Sequence, residues 1–487
     1  MNISEIVLTG EDLTIGQLRA ASSRNGRVRL DDQARQRVRA ARRVVDRIVA
    51  DNLPVYGVTT GFGSQKEARV SAEECTEFNR RVVCAHGTRL SGPSLPEETV
   101  RAALVYIANA FARGCSGVSE AFVDLIVDLV NEGRMPVIDA SGSVGASDLV
   151  PLAQIATWLF DLPAARTAGL PAANDALSFI NCNAVSLAQG ALVLDEAVRL
   201  VDALTLAGCM ALEGFRGNLD AIAEPVAANV RRTGQKAVAG KMRELLTDSE
   251  LLVPGNARFL QDPLSFRCIS QVQGALAEML ERALLVWTDE LNSACDNPCF
   301  VPETLAAFSH GNMDTTRMTL AVDGLRQGLA KAFDLAGERI AKIQWPAFSS
   351  LPVGLGEEKS AVGGVQFLNL GHIGASLITS VKIWAQPSLL LSVGQVADGV
   401  EDTASHALHA VHDLWRMVHV GWKIVTVEMV IAAWAIRRRG ISTERIGTGL
   451  RELQEKIQPL LPVGKEGYTP FDLGPLEEMI RAEFIGS

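Results

Sequence analysis

Apolar residues recur along most of the chain at the three- and four-residue steps of an α-helix. After Asp31, a residue type suited to helix capping, Val38, Ala41, Val45 and Ile48 repeat among arginines and predict an amphipathic helix. Leu325, Leu329, Phe333, Ala336 and Ile340 do the same between Thr316 and Lys342. From Leu187 to Leu212 apolar residues run nearly all round, which predicts a buried helix. Strand signals are few, at residues 6–8 and 27–30. The pattern predicts a mainly α protein with a core bundle of long helices and a loop-rich N-terminal portion. The working division is a loop-rich domain over residues 1–190 and a long-helix bundle over 191–487.

Composition narrows the partners. A formal net charge of −10 argues against nucleic acid or an anionic membrane surface, since both call for a basic face. The basic run Arg437-Arg438-Arg439 reads as a solvated helix end, where cations suit the macrodipole. The start, Met1-Asn2-Ile3-Ser4-Glu5, lacks an export pattern, and the apolar stretch from Ile424 to Ile436 is short for a bilayer and broken by Glu428. A cytoplasmic protein without a membrane partner is expected. Of the eight cysteines only Cys295 and Cys299 are close in sequence, with no zinc-like spacing, so reduced thiols are expected. His406, His409 and His412 recur every three residues and read as helix-surface histidines; no metal is expected.

Glycine-rich loops interrupt the helices at 56–64, 141–148 and around 354–364, and none has a phosphate-cradling pattern. Tyr56, in Tyr56-Gly57-Val58-Thr59-Thr60-Gly61-Phe62-Gly63, is one of only three tyrosines, and by itself reads as an aromatic packing a loop. In Gly142-Ser143-Val144-Gly145-Ala146-Ser147-Asp148-Leu149-Val150-Pro151-Leu152, small residues lead into a helix start that Ser147 or Asp148 would cap.

Nine such motifs stand in one order. They are Leu8-Thr9-Gly10-Glu11-Asp12-Leu13-Thr14, the Tyr56 loop, Arg113-Gly114-Cys115-Ser116-Gly117, the loop at 142–152, Phe179-Ile180-Asn181, Gln261-Asp262-Pro263-Leu264-Ser265-Phe266-Arg267-Cys268, Asp296-Asn297-Pro298, Gly311-Asn312-Met313 and Val400-Glu401-Asp402. Together they resemble histidine ammonia-lyase and its aromatic relatives along almost the whole chain. The resemblance implies a histidine ammonia-lyase-like fold, a homotetramer whose active sites draw loops from more than one subunit, and an aromatic or heteroaromatic amino acid as substrate. That family cyclises an Ala-Ser-Gly tripeptide into a methylidene-imidazolone (MIO), whose methylidene accepts the substrate amine while a tyrosine takes a proton from the β-carbon. By resemblance Tyr56 is the base, Asn181 holds the prosthetic group and Arg267 clamps the substrate carboxylate. Gln261 positions the substrate, His86 selects its ring, and Glu401 matches the acid of histidine-type members.

Three positions depart from the family. Ala146-Ser147-Asp148 lacks the glycine whose amide would close the ring, and a literal Ala140-Ser141-Gly142 lies on the wrong side of the motif. Leu264 stands where a tyrosine is usual, and Met313 replaces a phenylalanine. No bound cofactor is expected, and MIO is expected not to form. An ammonia-lyase or aminomutase, a relative using the pocket for MIO-free elimination, addition or cyclisation, and a non-catalytic scaffold remain open.

Overall fold

The computed structural model describes residues 5–356, 367–391, 394–462 and 471–485; residues 1–4 and most of the glycine-rich stretch around 354–364 lie outside them. The fold is mainly α. Its longest helices are Ala184–Phe215, Ile269–Leu291, Thr316–Gln344 and Ala407–Arg438. Two stretches, 175–215 and 407–438, match a membrane span by length and apolarity, but 94% and 83% of their most apolar windows are buried within the protein, as befits core helices.

Two compact units emerge. The first comprises the chain up to Asp195 together with Ala283–Asp323 and Pro387–His412, and the second comprises Glu196–Arg282, Gly324–Gln386 and the chain from Asp413. The expected boundary at 190 lies near the end of the first segment, and two later segments join that segment's unit.

In the first unit, strands Ile6–Leu8 and Val28–Leu30 pair in parallel. Helix Asp32–Ala50 follows, with the Asp31 carboxylate accepting from the amides of Gln33 and Ala34 at 2.9 and 3.1 Å, so the expected cap is present. Its apolar stripe, Ala41, Val44, Val45 and Ile48, packs on Val58, Val70, Cys75 and Phe300. Val58 thereby pins the loop that carries Tyr56. Helix Leu149–Asp161 starts after Asp148 as expected, yet no side chain caps it. The Asp148 carboxylate turns instead to Ser186, accepting from its amide at 2.7 Å and its hydroxyl at 2.8 Å. Asp148 is fully buried, and these donors hold it more completely than a helix end would. His406 lies ahead of helix Ala407–Arg438 with φ of 54°, so it does not share a helical face with His409.

In the second unit, Arg339 and Glu428 form a buried bidentate pair. The third nitrogen of Arg339 donates to the carbonyl of Ser265 at 3.0 Å, which fixes the short helix Leu264–Arg267. Arg439 is not the solvated cation its sequence context predicted. It donates to the carbonyls of Gly214 and Ser349 at 2.7 and 2.6 Å, and burial pulls its guanidinium down to about 10.

Candidate active site

A cavity of about 680 Å³ opens in the first unit, within the range of small-molecule sites. Tyr56, His86, Ala146, Asn181 and Glu401 line it, together with Phe62, Phe78 and Arg81. Five of the expected site residues, spread over 345 positions (401 − 56 = 345), thus share one wall.

The Tyr56 loop is held from within. The amides of Val58, Thr59 and Thr60 all donate to the carbonyl of Val55, while Val55 donates to the Thr59 hydroxyl. Gly57 has φ of 69°, and a Cβ there would lie 2.0 Å from the Leu177 side chain, so the loop requires glycine. The amide of Gly63 donates to the Tyr56 hydroxyl oxygen at 3.0 Å and orients the phenol.

His86 ends helix Cys75–His86, with Nδ1 2.9 Å from the carbonyl of Val82. A carbonyl only accepts, so Nδ1 carries the proton and Nε2 remains for a ligand. The ring lies 5.3 Å from that of Phe62, which meets Phe78 edge-on. Burial pushes the Glu401 carboxyl up, with the charge of His86 opposing.

Several polar groups of the 142–148 loop are engaged by neighbouring segments. Ser147, at φ of 76°, donates its hydroxyl to Asn181 Oδ1 at 2.7 Å and its amide to Asn183 Oδ1 at 3.0 Å. The Asp148 amide donates to the carbonyl of Cys182 at 2.8 Å. Burial pushes the Asp148 carboxyl up, against the lowering effect of its Ser186 donors. Asn181 in turn donates to the carbonyl of Asn297 at 3.0 Å. Gly145 has φ of 95°, and a Cβ there would stand 2.4 Å from the amide of His406, so the loop and the 405–406 segment approach backbone to backbone. Ser141 and Gly142 of the alternative tripeptide are exposed. The carbonyl of Met313 accepts at 2.8 Å from Asn183, the residue that holds the Ser147 amide, and Met313 is not among the residues that line this cavity.

Gln261, Leu264 and Arg267 lie in the second unit. Arg267 Nε donates to the carbonyl of Asp262 at 2.7 Å. With its amide oxygen turned towards Arg267, Gln261 accepts from both terminal nitrogens, at 2.7 and 3.2 Å. Both residues line a cavity of about 320 Å³, whereas Leu264 is 63% exposed beside another of about 450 Å³.

The sequence profile described as "Aromatic amino acid lyase" matches residues 13–459. The chain belongs to that family. Histidine ammonia-lyase of Symbiobacterium thermophilum is 32% identical to this lyase over 98% of its length and 97% of the relative's, and that of Caldanaerobacter subterraneus is 29% identical over 99% of both. In structure, the ergothioneine-degrading ergothionase of Treponema denticola aligns with a TM-score of 0.89 at 28% identity over 99% of both chains. Tyrosine aminomutase of Streptomyces globisporus shares the fold at 0.89 and 24% identity, over 99% of this chain and 98% of its own. This lyase is therefore a carbon–nitrogen lyase of the aromatic amino acid lyase family.

Phe62, Phe78 and Arg81 were not singled out in the sequence. Phe62 lies inside the quoted Tyr56 motif. Phe78, Val82, Ala85 and His86 follow helical spacing, so the cavity face of that helix was readable once His86 was placed on it.

Proposed function

We propose that this lyase eliminates a tertiary amine from an aromatic or heteroaromatic amino-acid betaine, without a self-made electrophile. The observation that carries the proposal is the Asp148 amide. It is the nitrogen that would have to attack the Ala146 carbonyl, and its hydrogen is committed to Cys182. It also belongs to a residue whose buried side chain is anchored on Ser186. The Ser147 hydroxyl, which ring formation would expel, is held by Asn181. These residues do not suit the MIO group.

A quaternary nitrogen removes the need for it. An ordinary ammonium offers N–H protons far more acidic than a β-hydrogen, and gives them to any base first. A trimethylated nitrogen has none, keeps its charge, and departs as a neutral amine. Tyr56 then takes the β-proton, the C–H electrons form the double bond, and the carbon–nitrogen pair leaves with the amine. The rings of Phe62 and Phe78 beside the Glu401 carboxylate suit the cationic head. His86 Nε2 suits an N–H or O–H on the substrate ring. Ergothioneine, which the Treponema denticola enzyme degrades, is itself a histidine betaine.

Arg267 would anchor the substrate carboxylate from a neighbouring copy in a cytoplasmic homotetramer. The segment ahead of it exposes Leu252, Val253, Leu260 and Leu264, the kind of apolar edge an assembly covers. The family's histidine ammonia-lyases favour a second reading, release of ammonia from a free amino acid.

Incubating the purified enzyme with ergothioneine, histidine betaine, histidine, tyrosine and phenylalanine separates the two. Tertiary amine and an unsaturated acid from a betaine, lost on the order of 10²–10⁴-fold in Tyr56→Phe, support the proposal. Ammonia from a free amino acid, with none of the betaines cleaved, overturns it.

A further inference from the structure

Away from the cavity, the turn at residues 113–117 sits against the strand Cys299–Val301 in the first unit. The amide of Phe300 donates to the carbonyl of Cys115 at 2.8 Å, and a Cβ on Gly117 would stand 2.7 Å from the Phe300 ring. These contacts hold two cysteines 184 positions apart (299 − 115 = 184) side by side, each thiol shifting the ionisation of the other. Both cysteines are partly exposed, whereas Cys75, Cys182, Cys209 and Cys295 are buried. A small oxidant therefore has a shorter approach to this pair than to those four.

We propose that Cys115 and Cys299 form a reversible disulfide site, closed by hydrogen peroxide and reopened by a dithiol. Cys299 reacts first, because the neighbouring Cys115 pulls its thiol down to about 7 and favours its thiolate. Its sulfur attacks one peroxide oxygen, the O–O bond breaks, and hydroxide leaves, giving a sulfenic acid. The Cys115 sulfur then attacks that sulfenic sulfur and displaces a second hydroxide. The two thiol protons convert the hydroxides to water. Two thiols and one peroxide become one disulfide and two waters, with two electrons passing from sulfur to oxygen.

The site adjoins the catalytic loops. Asn297, two residues before Cys299, accepts from Asn181 through its carbonyl, and Ser116 donates to Asp296 at 2.9 Å. A cross-link here ties the turn to the segment that holds Asn181 and, through it, Ser147.

The test treats the full native chain with hydrogen peroxide, blocks remaining thiols, and reads the intact mass and a non-reduced peptide map. Expected are a loss of two hydrogen masses, one peptide pair bridged between Cys115 and Cys299, reversal by dithiothreitol, and loss of the bridge in Cys115→Ser and Cys299→Ala. Oxygen addition at Cys84 or elsewhere without a bridged pair, or a bridge between other cysteines, overturns the proposal. So does a two-hydrogen loss that persists in Cys115→Ser.

Discussion

Ser147 gives its hydroxyl proton to the side-chain oxygen of Asn181 at 2.7 Å, a contact that an undehydrated serine alone can make. The intact mass of the purified chain should equal the mass of its sequence, without the loss of two waters that ring closure brings. Absorbance of a methylidene ring near the ultraviolet edge, or the lower mass, would sink the MIO-free reading.

Glu401 bears on the pH dependence of binding. Burial raises its carboxyl above the ordinary glutamate range, with His86 opposing, so ionisation comes later than for a solvated glutamate. Affinity for a quaternary ammonium ligand should therefore rise with pH from about 4.5 upward and then level off. Glu401→Gln should flatten that rise and weaken binding about tenfold at neutral pH, the worth of one charge-assisted contact. Titration calorimetry against pH decides it; an unchanged slope in the variant removes Glu401 from the cationic subsite.

Arg267 separates a ligand anchor from a structural link. Its fork is already met by Gln261 and its Nε by the carbonyl of Asp262, so Arg267→Lys loses planar donors on both counts. The anchor role predicts an assembled, stable protein whose carboxylate ligands bind at least about tenfold more weakly. Reduced melting temperature with normal affinity in the folded remainder would make the arginine structural and cost the substrate class its carboxylate clamp.

Asp296 should leave a mark on stability. Burial lifts its carboxyl from 3.8 to about 6, against the donors Ser116 and Ser178, so the folded protein holds a proton that the unfolded chain releases. The sign follows: this contribution is full below about 4 and is lost as pH rises through about 6. A displacement of that size is worth about 3 kcal/mol. Asp296→Asn, which cannot ionise, should gain stability relative to the parent between pH 4 and 6. Melting curves of both proteins across that window check it, and parallel curves would refute it.

Much of this was readable beforehand because helices carry a 3.6-residue period. Asp31, the Val38–Ile48 stripe and the long helices stand where spacing placed them, and motif order brought Tyr56, His86, Asn181 and Glu401 to one cavity. What spacing could not give were partners set by tertiary placement. Asp148 looked like a helix cap, but its carboxylate found Ser186, 38 positions on, and its amide found Cys182. Arg439 looked solvated until Gly214 and Ser349 turned carbonyls towards it. Both involve backbone groups, which no pattern of side chains announces.

The three-segment make-up of the first unit has a consequence during protein synthesis. Tyr56 emerges early and Glu401 late, so at 5–20 residues per second the nascent chain carries an unfinished cavity for roughly 20–70 s. For that interval the aromatic faces of Phe62 and Phe78 and the 142–148 loop wait without the backbone at 405–406 that closes on Gly145. A ribosome that stalls ahead of residue 400 leaves an open-walled intermediate for chaperones to shelter or proteases to clear.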